Sequence, residues 1–341
     1  MKIKIPSFIK TGDTIAIVAP SFGCTTEPYS TRLISAVEKL KKREYKIKIG
    51  DCVFKSDGKG ISTDPETAAK ELMKFYIDDK IDAIISAGGG ELMCETVSYI
   101  DFKKLKKARP KLFMGYSDNT NFIFPLVTIA ETAAIYGPCI GGFGKEWEEC
   151  EEDSISLLEG KKTTFCGYEK FQLPENDGEN GALGKYVLTE KKELKFFNCE
   201  NGTSFDGILL GGCLDVLAGL CGTSLDNMKT FNRKNKKIIW ILESCDGNPC
   251  EIRRQMWHLK QAGWFEKASG FIIGRPLSAF NQEMMGIDQY NAVTDIIKDL
   301  KLPVIMDADI GHIDPSMPVL MGAEAAVKIE KNNFSIDIKI S

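Results

Sequence analysis

Short, wholly apolar runs alternate with longer stretches of helical periodicity through the first 140 residues. Thr14-Ile-Ala-Ile-Val-Ala19 is apolar at every position after the threonine, as in a strand covered on both faces. Pro20-Ser-Phe-Gly23 ends it, and Leu33, Val37 and Leu40 then recur at helical spacing with lysines opposite. Val53 and Phe54 read as another strand. Asp64-Pro65 opens a helix, with a capping carboxylate followed by proline at the first helical position, and Ala68, Ala69, Leu72, Phe75 and Tyr76 form its apolar face. Strands follow over residues 81–86, which run into Gly88-Gly-Gly90, over 112–114, and over 133–136. Strands alternating with helices predict right-handed crossovers and a largely parallel sheet, whose ligands sit at the carboxyl ends of the strands.

Beyond Phe165 the pattern changes. Residues 174–205 are rich in Gly, Asn, Glu and Lys, with strand-like pieces at 186–188 and 194–197. An apolar core pattern resumes with Gly207-Ile-Leu-Leu-Gly-Gly212 and an apolar segment over 214–220. Strands are predicted at 237–242, 270–274 and 303–306, and helices at 251–262 and 288–300. The tail alternates, Val327-Lys-Ile-Glu and Ser335-Ile-Asp-Ile-Lys-Ile340, as in an antiparallel hairpin with one wet face. The expected organisation is an N-terminal α/β domain over residues 1–165, a crossover over 166–205, and a smaller C-terminal mixed β/α domain over 206–341. No internal repeat is visible.

One stretch of the first half carries candidate chemistry. In Lys111-Leu-Phe-Met-Gly-Tyr-Ser-Asp-Asn-Thr-Asn-Phe122 a buried strand ends at a glycine, Ser117 stands at the tip of the turn, and Asp118, Asn119 and Thr120 can cap a helix starting near Phe122. A serine on a strand–turn–helix elbow is pushed clear of the sheet, with backbone N–H groups pointing at whatever it attacks. The usual spacing is Gly-x-Ser-x-Gly, and Asn119 replaces the second glycine, so on the bare pattern a plain helix cap is the commoner reading and a nucleophile the rarer one.

Bulk properties narrow the chemistry. A chain of 341 residues accommodates two domains, its net charge of −4 gives no support to a nucleic-acid partner, and its lysines are interleaved with acids. No apolar run approaches the ~20 residues needed to span a bilayer, and residues 15–20 are too short for a signal-peptide core, so the chain reads as cytoplasmic. Eleven cysteines without any Cys-x-x-Cys argue against a disulfide framework or structural zinc. Only two histidines exist, which excludes a His-rich metal site. His258 projects off the apolar face of its helix and reads as a solvated or packing histidine, whereas His312 follows glycine in a loop after a strand, where a base can stand.

Glu243 follows the five apolar residues 238–242 of a strand and taken alone reads as a turn cap. Gly88-Gly-Gly90 admits three readings: a tight turn, a phosphate cradle, or an oxyanion hole. The cradle lacks the last glycine of the dinucleotide fingerprint, replaced by Met93, and the lysine of the P-loop. Ser117, Glu243 and His312 each lie just past a strand, in the chain order serine, acid, histidine that α/β-hydrolases use. A serine nucleophile needs a base, and the base an orienting carboxylate.

With these residues in view, the chain resembles the LD-carboxypeptidase family of serine peptidases, which includes the microcin C immunity peptidases. The resemblance runs nearly end to end: Ile17-Val-Ala-Pro-Ser21, residues 84–90, Tyr99-Ile-Asp-Phe102, Pro110-Lys-Leu-Phe-Met-Gly-Tyr-Ser-Asp118, Tyr136-Gly-Pro138, Gly211-Gly-Cys-Leu214 with Leu220-Cys-Gly-Thr223, Ile241-Leu-Glu243, residues 270–274 and Gly311-His312. It implies a nucleophile elbow in the N-terminal domain, the acid and histidine from the C-terminal domain, and an active site at their interface. By position Ser117 is the nucleophile, His312 the general base and Glu243 its orienter. The oxyanion hole falls to backbone N–H groups of Asp118 and of Gly89 or Gly90. The family implies no metal or cofactor, and a homodimer.

The implied substrate is a murein tetrapeptide, cut at its L,D bond, or the amide of an aminoacyl nucleotide of the microcin C type. Ser244 stands where many relatives carry an acid, and Cys213 where an asparagine is common. These two changes keep open a non-catalytic small-molecule or peptide-binding protein on the same scaffold. A nucleotide-binding enzyme built on residues 88–90 is a third reading, and a cysteine hydrolase finds no cysteine on so clear an elbow. The microcin-immunity branch uses aromatic substrate contacts near residues 165–205. Here Tyr168, Phe171, Tyr186, Phe196 and Phe197 are the aromatics available for that role.

Overall fold

The computed structural model describes residues 3–235 and 237–340. Two sheets organise the chain. The first contains β1 (Thr14–Val18), β2 (Lys46–Ile49), β3 (Ala83–Ser86), β4 (Leu112–Gly115) and β5 (Ala134–Tyr136). The second contains the short β6 (Thr164–Phe165) and β7 (Lys195–Phe197), then β8 (Ser204–Cys213), β9 (Ile238–Glu243), β10 (Ala268–Gly274) and β11 (Val304–Ala308). β12 (Val319–Met321) follows, and the chain closes with the hairpin β13 (Glu324–Glu330) and β14 (Asn333–Lys339).

The first sheet has the order β12–β5–β4–β3–β1–β2 and is parallel throughout except for β12. Residues 319–321, counted above with the C-terminal domain, thus return to complete the N-terminal sheet. The second sheet has the order β6–β14–β13–β8–β9–β10–β11–β7, with β8 to β11 parallel and the flanking strands antiparallel. The α/β class with a parallel first sheet and a mixed second sheet agrees with the sequence pattern. Fully apolar runs became central strands, because a strand covered on both faces has no wet side.

Two expectations fail. Residues 51–54 form a 3₁₀ turn, and the edge strand is Lys46–Ile49, whose lysines alternate with isoleucines. Alternation is the signature of an edge strand with one exposed face, and it outweighs a single Val-Phe pair. Residues 186–188 are irregular, and the local pairing is instead the two-residue ladder of Lys170–Phe171 with Glu190–Lys191.

The sheets meet at the helix that leaves the elbow, Thr120–Thr128, which is buried along its whole length. Phe124 on this helix stacks on Trp264 of the second half at 4.8 Å between ring centroids, and Trp264 stacks in turn on Trp240 of β9. The Thr120 hydroxyl accepts from the Cys213 N–H at 3.0 Å, and the Asn227 amide donates to the Thr128 carbonyl at 2.6 Å. Apolar stacking and polar bonds therefore fix the helix that follows β4 against the carboxyl end of β8 and against β9.

Candidate active site

Ser117 sits at the end of β4 in the left-handed region, at φ +62°, where a non-glycine residue is uncommon. The next residues make one turn of 3₁₀ helix, Ser117–Asn119, before the α-helix begins. The expected helix cap does not form: neither Asp118 nor Asn119 caps with its side chain. Asp118 instead accepts from the Ser21 hydroxyl at 2.5 Å, the Met93 N–H at 2.9 Å and the Asn121 amide at 2.8 Å. Burial raises its carboxyl pKa, and these three donors oppose the rise. Asn119 donates to the carbonyls of Gly88 and Tyr116. Asn119 thus clamps the glycine turn onto the elbow, and Asp118 ties the elbow to Ser21 and Met93.

Gly89 lies directly over the nucleophile: a Cβ there would stand 3.1 Å from Ser117 Cβ and 3.2 Å from its Oγ. Gly90, at φ +136°, turns toward Ser21, where a Cβ would lie 2.3 Å from the hydroxyl oxygen. The Gly89 carbonyl is occupied by the Phe22 N–H at 3.0 Å, so the turn is held by its carbonyls.

His312 arrives on the loop after β11 and reaches both partners. Its Nε2 lies 2.9 Å from Ser117 Oγ and its Nδ1 2.7 Å from Glu243 Oε2. Glu243, the last residue of β9, is 1% exposed. Tyr116 packs against the imidazole at 5.0 Å between ring centroids. The structure therefore brings together Ser117, His312 and Glu243, which are separated by up to 195 positions in the chain, and leaves His258 exposed on its helix.

Burial disfavours the charged form of His312, but the Glu243 charge and the hydrogen bonds of Cys245 and Glu243 outweigh it, and its pKa stands well above 6.5. A base must be neutral to take a proton, so activity falls as pH drops through this raised value. The acid limb of kcat/KM, which reports the free enzyme, is expected above pH 6.5. A pH–rate profile checks this, and a limb below 6.5 would contradict it.

Two cavities flank Ser117. The larger, about 700 Å³, lies on the His312 side and is walled by Tyr29, Arg32, Tyr116, Lys145, Tyr186 and Asp314 among others. The smaller, about 350 Å³, is bounded by Glu91, Asp118, Cys213, Asp215 and Cys245. In the larger cavity Lys145 is nearly buried, 3.2 Å from Asp177 and 3.7 Å from Asp314, and sits 4.4 Å from the centre of the Tyr186 ring. Burial raises the Asp314 carboxyl, and the Lys145 charge opposes it.

Sequence reasoning missed Arg32, Lys145, Asp314 and the Tyr136 hydroxyl. That hydroxyl accepts from the Ser117 N–H and donates to Glu243 Oε1, and Tyr136-Gly-Pro138, a strand end that also carries the family resemblance, is its one signal in the sequence. Of the five aromatics named above, only Tyr186 lines the cavity. Tyr168 is buried against Asp153, Phe171 lies under the Arg275 guanidinium, and Phe196 and Phe197 belong to β7 at the sheet edge. Of the two substituted positions, Cys213 lines the smaller pocket, and Ser244 lies behind it, donating to Oδ2 of the lining residue Asp215 at 3.1 Å.

Two packed sheets bring a serine, a histidine and a glutamate into one hydrogen-bonded chain, the arrangement that a serine hydrolase requires. Residues 15–137 match the LD-carboxypeptidase N-terminal domain and residues 206–327 the LD-carboxypeptidase C-terminal domain, and the chain belongs to this family. The microcin C7 self-immunity protein MccF of Escherichia coli is 26% identical over 332 residues, covering 95% of this chain and 93% of that protein. The probable murein peptide carboxypeptidase of Bacillus subtilis (strain 168) is 24% identical over 340 residues, covering 98% and 95%. The solved structure of MccF in complex with aspartyl sulfamoyl adenosine has the same fold, with a TM-score of 0.83 at 22% identity over 98% of this chain and 99% of that one. An MccF-like protein from Bacillus anthracis str. Ames gives 0.81 at 20% identity, over 98% and 100%. Among the described residues no helix is long and apolar enough to cross a membrane.

Proposed function

We propose that Ser117, His312 and Glu243 are the catalytic triad, and that the reaction is amide hydrolysis through an acyl-serine. The observation that carries this reading is the continuous chain Ser117 Oγ–His312–Glu243 at 2.9 and 2.7 Å. With Nδ1–H donated to Glu243, Nε2 is free to accept the Ser117 proton as Oγ attacks the carbonyl carbon. The tetrahedral oxyanion falls beside the Asp118 N–H and the N–H groups of the Gly89–Gly90 turn. His312 then passes the proton to the leaving nitrogen, the C–N bond breaks, and an ester to Ser117 remains. Water, deprotonated by His312, attacks the ester, and the acid leaves as Oγ regains its proton.

The leaving group must sit on the His312 side, because His312 delivers its proton. That side holds the larger cavity, several times what a single alanine fills, with Tyr29 and Tyr186 in its walls. This favours a bulky, nucleotide-like leaving part, as on an aminoacyl sulfamoyl nucleotide, over the D-alanine of a murein tetrapeptide. Detoxification of such conjugates is the role that follows, and murein recycling is the second reading. A cytoplasmic homodimer belongs to the same proposal and is supported by the family likeness alone.

The test is a parallel assay of an aminoacyl-sulfamoyl adenosine and a murein tetrapeptide. We expect kcat/KM at least tenfold higher on the nucleotide conjugate. The opposite preference selects the murein reading. Failure to cleave either, with binding retained, returns the non-catalytic binding protein.

A further inference from the structure

We propose that the Tyr136 hydroxyl is a positioning group for the reaction, locking the nucleophile's turn to the acid across the two sheets. The inference rests on the triad reading above. Tyr136 ends β5, directly opposite Gly115 in the ladder with β4, one step before the elbow. It is 1% exposed. Its Oη lies 3.0 Å from the Ser117 nitrogen and 2.5 Å from Glu243 Oε1.

The protons in this network have one arrangement. A backbone N–H only donates, so Oη accepts from Ser117, and the single phenolic proton points at Glu243. Oε1 is thereby occupied, which leaves Oε2 for His312 Nδ1–H, 2.7 Å away. The imidazole is then fixed in the tautomer whose Nε2 faces Ser117. Burial and the neighbouring Glu243 charge hold the phenol well above its ordinary pKa of 10, so it remains a donor.

The same hydroxyl has two further effects. Ser117 has a strained backbone, at φ +62°, and such conformations persist only where the surroundings over-determine them. The bond from its N–H to Tyr136 supplies part of that constraint. It also occupies the Ser117 N–H, so oxyanion binding falls to Asp118 and the glycine turn. One oxygen atom therefore sets the attack angle of the nucleophile and the orientation of the acid together.

Tyr136→Phe removes only that oxygen. We expect kcat to fall about 10- to 100-fold, the range for one lost hydrogen bond to a charged group, with KM little changed. Glu243 loses a donor and its charge bears harder on His312, so the acid limb of kcat/KM should move to higher pH. A role in packing alone would leave the limb in place. A folded Tyr136→Phe protein with an unmoved limb overturns the proposal.

If that variant does not fold, 3-fluorotyrosine placed at position 136 keeps the ring and hydroxyl but makes the proton more acidic. Stronger donation to Glu243 then shifts the limb to lower pH, and no shift overturns the proposal. Ser117→Ala, assayed in the same series, separates the two claims. Activity in that variant defeats the triad reading. An inactive Ser117→Ala beside a Tyr136→Phe of wild-type profile defeats only the role of Tyr136.

Discussion

A Ser117→Ala protein is expected to fold normally and to hydrolyse neither substrate type, with kcat reduced by about a millionfold, the scale seen when a triad serine is removed. The substitution deletes Oγ alone. The Ser117 N–H keeps its bond to Tyr136, and alanine meets the same backbone strain as serine at φ +62°, so melting temperature should change little. What disappears is the oxygen 2.9 Å from His312 Nε2 that forms the acyl bond in the proposed reaction. In the wild type, mass spectrometry after denaturing a turnover mixture should find the acyl group on the peptide containing Ser117. An adduct on one of the cysteines, or full activity in the alanine variant, would remove the triad from consideration.

The second large effect comes from a residue with no functional group. Gly311→Ala should lower kcat by about ten-thousandfold, comparable with loss of the triad acid. Gly311 has φ +106°, a conformation L side chains rarely adopt, and a Cβ would lie 2.6 Å from Glu243 Oε2 and 2.7 Å from its Cγ. Oε2 is the oxygen that holds His312. The new methyl must displace either the carboxylate or the loop, and both displacements open the 2.7 Å contact between them. The backbone strain itself costs about 1–3 kcal/mol, so a lower melting temperature should accompany the loss. Steady-state kinetics on protein shown by circular dichroism to be folded decides the matter. A kcat within tenfold of wild type would show that the loop tolerates the methyl.

The elbow and its partners were legible in the sequence because Ser117, Glu243 and His312 each lie at or within a few residues of the carboxyl end of a strand. A polar side chain close behind an apolar run is visible without a partner: Glu243 follows its strand directly, Ser117 stands in the turn after one, and His312 in the loop after another. Their order along the chain supplied the rest. The side chains of Asp118 and Asn119 were misread for an equally local reason. A Ser-Asp-Asn turn before an apolar segment looks like a cap, whereas Asp118 spends its oxygens on Ser21 and Met93, 97 and 25 positions away.

Tyr186 aside, the charged walls of the larger cavity were not legible. Arg32, Lys145 and Asp314 come from three distant segments, and each alone looks like a solvated surface charge. Their meeting depends on how the crossover folds back: the Gln172 N–H donates to the Asp314 carbonyl at 2.8 Å, and the Tyr168 N–H to Asp309 at 2.7 Å. No periodicity encodes such contacts. Lys46–Ile49 was overlooked because an edge strand with two lysines is too short and too polar to stand out from its surroundings.

β12 has a consequence for how the two halves can move. The loop bearing His312 leaves the second sheet at Ala308 and enters the first sheet at Val319, where β12 pairs with β5 beside Tyr136. The base is therefore carried on a strap sewn into both halves. A hinge that parted the halves would have to stretch the strap or peel β12 from its neighbour, exposing a sheet edge able to pair with other chains. Substrate must enter a gap that is already open, and a fragment cut after the first domain would keep its nucleophile but lose the strand that finishes its own sheet.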